Sequence, residues 1–365
     1  MQALLMFLVV NGFILVLCSL IAISSYFLKQ SGRVRLFINE DEAGEADCGM
    51  TLFEALSQKE VYLPAACGGK GTCGRCLVKC RQGAGPLTPM ERILLDEASL
   101  AGGFRLACQI KVREDLKVEL PPELLTAKKF AVRLEKAEFA GEGIRVLQFS
   151  ILNNQLLEFK SGQYVQVYRQ LPHERIVRAY SISSDAKARS NFSLDIQYVA
   201  GGLMSTWLHQ IEPGTELEIS GPYGDMALED DSGDSPVILV AGGVGLAPMR
   251  SIIAELSRRQ SPPPVWLFWG TRHRTQLYAE EELKKLTLQN SNWFRFFPAL
   301  SGDLIEEGWT GDRGFIHLSL QKHLPEMPTA RAFICGPGPM MKAVTQVLEQ
   351  KGLSPDRIKA DPFDF

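Results

Sequence analysis

Three of the eight cysteines lie within ten positions, in the segment Cys67-Gly-Gly-Lys-Gly-Thr-Cys73-Gly-Arg-Cys76. A fourth candidate ligand, Cys108, follows in the sequence Leu-Ala-Cys-Gln. Four thiolates are the ligand set of a [2Fe–2S] cluster, two on each iron. The glycines of the segment allow its backbone to wrap tightly, so that N–H groups can donate to the sulfur atoms. The pattern therefore predicts a [2Fe–2S] cluster bound by these four cysteines.

Structural zinc is the alternative use of four cysteines, but zinc sites usually carry paired Cys-x-x-Cys knuckles. Only one such pair, Cys73 and Cys76, is present, so the iron–sulfur cluster is favoured. Tight spacing in a chain of 365 residues also indicates metal binding rather than disulfides. The cysteines outside this spacing are predicted to be bystanders: Cys18, Cys48 and Cys80.

The segment Arg178-Ala179-Tyr180-Ser181 carries side chains that suit a flavin nucleotide. Arginine offers a permanently charged, forked donor set to a phosphate. A tyrosine two residues later lies on the same face of a strand and can stack on a flat isoalloxazine ring. A serine hydroxyl can donate to a ring nitrogen. Taken alone, however, these four residues are equally compatible with an ordinary polar strand end.

A second phosphate-binding element follows in Gly201-Gly202-Leu-Met-Ser-Thr-Trp-Leu208, a glycine turn that opens a helical pattern. Unpaired N–H groups at the start of a helix bind pyrophosphate. Two such elements close together favour a bound dinucleotide, FAD. The glycine-rich segment Gly221-Pro-Tyr-Gly224 is predicted to be a structural turn.

Two further loops follow apolar strands near the C-terminus. The first, Gly242-Gly243-Val-Gly245-Leu-Ala-Pro248, joins the run Val-Ile-Leu-Val-Ala to a helix, and the second begins Cys335-Gly336-Pro337. Glycines allow a backbone to approach a pyrophosphate, and proline suits the first helical turn. Loops of this kind lie at the carboxyl edge of a parallel sheet, where nucleotides bind. A buried apolar role for the cysteine is the alternative interpretation.

The periodicity around these motifs predicts the elements that position them. A short alternating strand over Val34–Ile38 and a helix over Leu52–Leu56 indicate an α+β domain over residues 31–122. Alternating strands with glycine turns indicate a small antiparallel β-barrel over 128–230. Apolar strands that alternate with helices indicate a parallel α/β domain over 231–365.

The N-terminus differs from the rest of the chain, because no charged side chain occurs from Met1 to Leu28. A run of this length can cross a bilayer, so we predict a single transmembrane helix over residues 1–30, with residues 1–28 in contact with lipid. A signal peptide fits less well, since the basic n-region is missing. Lys29, Arg33 and Arg35 follow directly, which predicts that the later domains are cytoplasmic. A net charge of −3 without a basic cluster indicates no nucleic-acid partner.

In this order, the motifs resemble the ferredoxin–NADP⁺ reductase superfamily fused to a plant-type ferredoxin domain. Five residues separate Cys67 from Cys73, as in the F subunits of Na⁺-translocating NADH:quinone reductases, whereas plant-type ferredoxins have four. The segments Ala247–Ser251 and Trp309–His317 are also similar to those F subunits. The resemblance implies a multidomain chain: an N-terminal transmembrane helix, a β-grasp-like α+β ferredoxin domain, an antiparallel β-barrel FAD domain and an α/β parallel-sheet NADH domain.

The resemblance also implies roles for individual residues. Arg178 would bind an FAD phosphate beside Ala179, Tyr180 would stack on the flavin, and Ser181 would face its N5 atom. Cys335 would lie near the hydride-donating carbon, and Phe363 would cover the flavin until nicotinamide displaces it. The remaining assignments are an FAD pyrophosphate turn of Gly202, Met204 and Ser205, and a nicotinamide nucleotide site of Gly242, Gly243, Gly245, Pro248, Thr271, Arg272, Cys335, Gly336 and Pro337. NADH is favoured over NADPH, because no clear cluster of residues for a 2′-phosphate follows the second strand. NADPH stays an open alternative, because Arg272 and Arg274 lie there.

These assignments predict an NADH dehydrogenase of the bacterial inner membrane. NADH gives two electrons as a hydride, whereas an iron–sulfur cluster accepts one at a time, so a flavin must lie between them. By resemblance, the electrons would pass to membrane subunits of a sodium-transporting complex that reduces ubiquinone. An open alternative is a membrane-tethered reductase that supplies an oxygenase or desaturase, because Ile182-Ser183-Ser184 is closer to soluble oxygenase reductases. A scaffold without electron flow is disfavoured by the intact cluster cysteines.

Overall fold

The computed structural model describes residues 6–7, 10–20, 32–65, 67–172, 174–228, 235–302 and 308–363. The chain divides into two compact units, Met1–Leu125 and Thr126–Phe365. Of the predicted transmembrane segment, only residues 6–7 and 10–20 are described, and these are helical and exposed. The rest of that prediction lies outside the described residues. No helix in the described part of the chain has the length and apolar content needed to cross a membrane.

The first unit is built on a five-stranded sheet with the order β2-β1-β5-β3-β4. The central pair, β1 and β5, is parallel, and the other pairs are antiparallel. The predicted alternation is present in the first strand, since Val34, Leu36 and Ile38 are buried in the core of the unit. The strands are β1 (Arg33–Ile38), β2 (Asp41–Asp47), β3 (Leu77–Gln82), β4 (Phe104–Leu106) and β5 (Leu116–Glu119).

In the described residues that follow the N-terminal helical segment, this unit has four short helices, and two of them begin with a capping box. Thr51 caps the predicted helix through Glu54, and Thr88 caps the next one through Glu91. Each box satisfies N–H groups that a helix start leaves unpaired. The helix predicted over Leu52–Leu56 is confirmed. The helices are α1 (Leu52–Gln58), α2 (Pro89–Leu94), α3 (Glu97–Ala101) and α4 (Pro122–Leu125).

The second unit begins with a six-stranded antiparallel sheet of order β10-β7-β6-β11-β8-β9. An isolated antiparallel bridge between Ile182 and Leu194 joins its two end strands, so the sheet closes on itself around an apolar core. A small helix, α5 (Leu203–Leu208), contacts both end strands. The strands are β6 (Lys128–Gly141), β7 (Ile144–Ile151), β8 (Tyr164–Gln170), β9 (Arg175–Ser181), β10 (Asn191–Gln197) and β11 (Glu216–Tyr223).

The same unit ends in a six-stranded parallel sheet of order β15-β14-β13-β12-β16-β17. The strand order reverses between β12 and β16, and the carboxyl ends at such a switch point form a crevice for ligands. Separate apolar cores cover the two faces of this sheet. The strands are β12 (Val237–Gly242), β13 (Val265–Thr271), β14 (Phe294–Leu300), β15 (Asp312–Arg313), β16 (Arg331–Gly336) and β17 (Ile358–Pro362), and the helices are α6 (Leu246–Ser257), α7 (Glu280–Gln289), α8 (Ile316–His323) and α9 (Gly338–Gln350).

Candidate functional site

The four predicted ligand cysteines lie together as two pairs. The sulfur atoms of Cys67 and Cys73 are 3.3 Å apart. Cys76 and Cys108 also form a thiol–thiol contact, which raises the pKa of Cys76 and lowers that of Cys108. Two pairs of sulfurs match a cluster in which each iron takes two thiolates. Within the described ranges, no three or more His, Cys, Asp or Glu side chains are grouped to hold a single metal ion, so these cysteines meet as two pairs and not as one four-thiol site.

The loop around Cys67 favours a thiolate there. Its contact with Cys73 and hydrogen bonds from the backbone N–H groups of Thr72, Cys73 and Gly71 lower the pKa of Cys67 well below that of a free thiol. The backbone can curl in this way because Gly71 has a φ of +82°, a conformation that residues with a Cβ rarely adopt. A loop that presents N–H groups to sulfur fits an anionic cluster.

A buried ion pair anchors the strand that leads to Cys108. Glu91 and Arg105 are almost fully buried, and the guanidinium donates to both carboxylate oxygens at 2.7 and 2.9 Å. The Leu106 N–H also donates to Glu91, at 3.1 Å, and the next N–H, that of Ala107, donates to the carbonyl of Cys76. Sequence analysis missed this pair, although the Thr88-x-x-Glu91 spacing is a capping signal that marks the glutamate.

The three other cysteines of this unit lie outside the two thiol pairs. Cys80 contacts the carbonyl oxygens of Gln82 and Lys117, and burial raises the pKa of its thiol. Cys48 is half-buried beside the apolar core. Cys18 is exposed within the helical residues 10–20. None of the three shares the thiol contacts of the cluster cysteines that are given above.

The predicted flavin residues lie on β9, at one end of the barrel sheet. Arg178 and Tyr180 stand two residues apart and therefore share a face of the strand, Arg178 exposed and Tyr180 half-buried. Burial raises the pKa of the Tyr180 hydroxyl, so the ring stays neutral. Ala179 is half-buried and Ser181 is buried, at the end of the strand. An exposed cation followed by a shielded aromatic ring fits a phosphate and a flat heterocycle.

The predicted pyrophosphate turn lies beside this strand, at the start of α5. Gly202 is the N-cap residue and supplies no side-chain acceptor to the first N–H groups of the helix. A Cβ at Gly202 would lie 2.7 Å from the hydroxyl oxygen of Ser205 and 3.0 Å from the backbone carbonyl oxygen of Val199, so a larger residue would displace this turn. Met204 and Ser205 are buried, and the Ser205 hydroxyl is bonded to the backbone of Val199. The structure thus brings the two predicted FAD elements together, because α5 contacts β9.

The predicted nicotinamide residues meet at the switch point between β12 and β16. Cys335 pairs in register with Ala241, and a Cβ at Gly245 would lie only 2.2 Å from the carbonyl oxygen of Cys335. A Cβ at Gly242 would lie 2.6 Å from the sulfur of Met340. The loops after β12 and β16 can therefore lie this close to each other only because these positions are glycine. A crevice for a nucleotide at the carboxyl edge of the sheet requires such bare backbone. Pro248 is buried in the first turn of α6.

Other predicted residues surround this crevice. Gly243 has a φ of +53°, and its carbonyl accepts a hydrogen bond from the indole N–H of the fully buried Trp269 at 2.8 Å. Thr271 is buried at the end of β13, and Arg272 after it is exposed. The Phe363 N–H donates to the carbonyl of Gly336, and its ring packs on the core that contains Cys335. Pro337 follows as the N-cap residue of α9. Trp269 was missed, because a tryptophan in an apolar strand is typical of a core.

Comparison with known proteins agrees with this layout. Three family models match in succession: a 2Fe-2S iron-sulfur cluster binding domain over residues 37–113, an oxidoreductase FAD-binding domain over 131–228 and an oxidoreductase NAD-binding domain over 239–346. The F subunit of the Na(+)-translocating NADH-quinone reductase of Yersinia pestis is 30% identical over 396 residues, which cover 96% of each chain. This chain belongs to the family of these F subunits.

A relative of the same name from Serratia proteamaculans is 29% identical over 97% of both chains. Among solved structures, the cytochrome P450 reductase GcoB of Amycolatopsis is 25% identical, with a TM-score of 0.73 over 90% of this chain and 98% of its own. The ferredoxin reductase of carbazole 1,9a-dioxygenase has the same fold, with a TM-score of 0.69 at 24% identity over 91% of this chain. Membership of the family confirms the predicted cofactors, FAD, NADH and a [2Fe–2S] cluster, and the electron path among them.

Proposed function

We propose that this chain is the electron-input subunit of a membrane-bound NADH:quinone reductase that transports sodium. The observation that carries the proposal is the 30% identity to the Yersinia F subunit over 96% of both chains, which extends across all three cofactor domains. The further subunits of such a complex would be its partners and would pass electrons to ubiquinone. The charge-free segment of residues 1–28 supports a single inner-membrane helix, with the three domains in the cytoplasm.

The same proposal assigns the domain boundaries and the site residues. A ferredoxin domain over 31–122, an FAD barrel over 128–230 and an NADH domain over 231–365 agree with the matched ranges and the three sheets. Cys67, Cys73, Cys76 and Cys108 would hold the cluster. When bound, FAD supplies the redox chemistry that links NADH, which gives two electrons as a hydride, to a cluster that accepts one electron at a time.

The residues of the chain itself would bind FAD, orient its ring and exclude water from it. Arg178 would neutralise an FAD phosphate, Tyr180 would shield one face of the ring, and the Ser181 hydroxyl would hold a hydrogen bond near N5. The N–H groups after Gly202 would bind the pyrophosphate, with Met204 and Ser205 fixing the turn. Phe363 would keep water from the flavin until the nicotinamide enters.

For NADH, the crevice formed by Gly242, Gly243, Gly245, Gly336 and Pro337 would hold the nucleotide at the carboxyl edge of the sheet, with Cys335 beside the reacting carbon. Pro248 would fix the start of α6. Thr271 and Arg272, at the end of the neighbouring strand, would contact the adenosine.

Purification of the full chain from membranes, with identification of the copurifying proteins, tests the proposal. We expect the other subunits of a quinone reductase, and we expect NADH-driven quinone reduction in the membranes to depend on both sodium and this chain. Membranes that lack the chain are the control. Copurification of an oxygenase or a desaturase, with quinone reduction indifferent to sodium, would instead support a second candidate.

That second candidate is a membrane-tethered reductase that serves an oxygenase or a desaturase. It is favoured by the similarity to the cytochrome P450 reductase GcoB, which this chain covers over 98% of its length at 25% identity. The two candidates share the path from NADH to the cluster and differ only in the final acceptor.

A further inference from the structure

A carboxylate is completely buried on the barrel, although the surrounding strand pattern is apolar. Asp195 lies between Leu194 and Ile196 on β10, and its side chain has no exposed area. A buried charge is costly unless it is paired and hydrogen-bonded. Its position therefore requires partners, and most of these come from the parallel-sheet domain of the same unit.

Two residues of the parallel-sheet domain reach this carboxylate. Arg250, on α6, donates to its two oxygens at 3.4 and 3.2 Å, and the Tyr278 hydroxyl donates to the second oxygen at 2.7 Å. Burial opposes the charge on Arg250, but the negative charge of Asp195 outweighs this effect and raises the pKa of the guanidinium. Arg250 also donates to Glu282 at 3.3 Å and is 25% exposed, whereas Asp195 has no exposed area. Removing Arg250 would therefore leave Asp195 buried without its cation, which is strongly destabilising, while removing Asp195 takes away the buried partner of Arg250 and leaves the exposed one.

Arg250 and Tyr278 connect this carboxylate to the glycine loop of the predicted nicotinamide site (the nicotinamide loop, residues 242–245). Arg250 lies in the first turns of α6, directly after the 3-10 turn Gly243–Gly245. The Tyr278 ring packs edge-on against the indole of Trp269, with the ring centroids 5.3 Å apart. That indole donates to the carbonyl of Gly243. The glycine loop is thus held from its helix and from the neighbouring strand.

Asp195 is also hydrogen-bonded to the segment that directly follows β9, the strand that carries the predicted flavin residues (the flavin strand). The Ser183 hydroxyl donates to the first oxygen of Asp195 at 2.7 Å. Ser183 lies two residues after Ser181, the proposed partner of the flavin ring. The bridge between Ile182 and Leu194 holds this segment against β10. One buried carboxylate therefore contacts both the end of the flavin strand and the helix that carries the nicotinamide loop.

We infer that Asp195 and Arg250 are positioning residues for hydride transfer, because they fix the nicotinamide loop relative to the flavin strand. Neither residue needs to touch a cofactor. The inference rests on the NADH-to-FAD part of the proposed function and is independent of the final acceptor. Misplacement of reacting groups by about 1 Å can reduce a rate on the order of 100-fold, so a small relaxation here has a large effect.

A second ion pair on the same helix supplies a matched control. Arg258, at the C-terminal end of α6, contacts Asp185 on the barrel, and the two side chains are 30% and 31% exposed. Asp185→Asn removes the same charge from the same domain as Asp195→Asn. It acts at the end of the helix away from the glycine loop and in contact with solvent, where ion pairs contribute little.

The experiment compares the FAD-loaded full-length wild type with Asp195→Asn, Asp185→Asn and Tyr278→Phe. Anaerobic stopped-flow absorbance gives the limiting rate constant of flavin reduction and the dissociation constant for NADH. Hydrogen–deuterium exchange of the oxidised proteins, without NADH, gives the protection of amides in residues 242–246. This second measurement does not depend on turnover.

For Asp195→Asn, we expect a limiting rate constant lowered by about tenfold or more, a dissociation constant changed by less than about threefold, and faster exchange in residues 242–246. Asp185→Asn should stay within about twofold of the wild type in all three measurements. If Asp195→Asn does not fold, Tyr278→Phe, which removes one hydrogen bond, should show the same pattern with a smaller decrease.

The inference is overturned if the folded Asp195→Asn variant, or Tyr278→Phe in its place, matches Asp185→Asn in both the rate constant and the exchange. It is also overturned if the loss lies entirely in NADH affinity. A wild-type flavin that NADH does not reduce would instead refute the proposed function itself, so the two failures are distinguishable.

Discussion

Replacing Glu91 by glutamine should break the buried ion pair that anchors the cluster domain. The carboxylate is fully buried and accepts hydrogen bonds from Arg105, from the Leu106 N–H, and from the N–H and hydroxyl of Thr88. Glutamine has nearly the same shape, but it removes the charge and turns an NH₂ group toward these donors. Breaking a buried pair from one side costs about 3–5 kcal/mol, a large fraction of the stability of a small domain.

Urea unfolding of the full chain, followed by the visible absorbance of the cluster, measures this loss. We expect the Glu91→Gln variant to release its cluster at a clearly lower urea concentration than the wild type. The control is Glu119→Gln, which removes a carboxylate from an exposed pair with Arg81 and should leave the midpoint unchanged. Equal midpoints for Glu91→Gln and Glu119→Gln would refute the reasoning.

The same residue predicts a pH dependence. Burial raises the pKa of Glu91, but the hydrogen bonds from Arg105 and from backbone N–H groups outweigh burial and hold the pKa below its ordinary value of 4.5. A carboxyl whose pKa is depressed by folding stabilises the native state above its unfolded pKa, and this stabilisation is lost as the pH falls. Cluster retention in the wild type should therefore decline below about pH 4.5, and more steeply than in Glu91→Gln. Parallel pH profiles would contradict this assignment.

Three further substitutions test the individual sites. Cys73→Ser should abolish the visible spectrum of the cluster, whereas Cys80→Ser should preserve it, because the Cys80 thiol is turned to backbone carbonyls; equal spectra would reject the ligand assignment. Tyr180→Leu should weaken FAD retention on gel filtration without lowering the cluster content, and full retention would argue against ring stacking. Gly245→Ala should disrupt NADH binding, because its Cβ would meet the Cys335 carbonyl, while Gly338→Ala meets nothing within 4 Å and should bind NADH normally.

Local chemistry could be predicted from the sequence because it depends on spacing along the chain. The cysteine loop needs three ligands and several glycines within ten residues, and this requirement is visible without a fold. The alternating strands predicted for the barrel are present, for example β7 (Ile144–Ile151), because their alternation reflects one buried face. The helix that begins at Leu52 was predicted for a similar reason.

The sequence by itself determined which cofactors the chain can bind, because each binding loop carries its own residue types at short spacing. Only the tertiary structure decided what holds those loops in place. Asp195 and Arg250 are 55 residues apart, and Glu91 and Arg105 are 14 apart, so no local pattern joins them. In the sequence, all four resemble solvated surface charges. Burial, which depends on the whole fold, turns them into paired charges whose loss is costly.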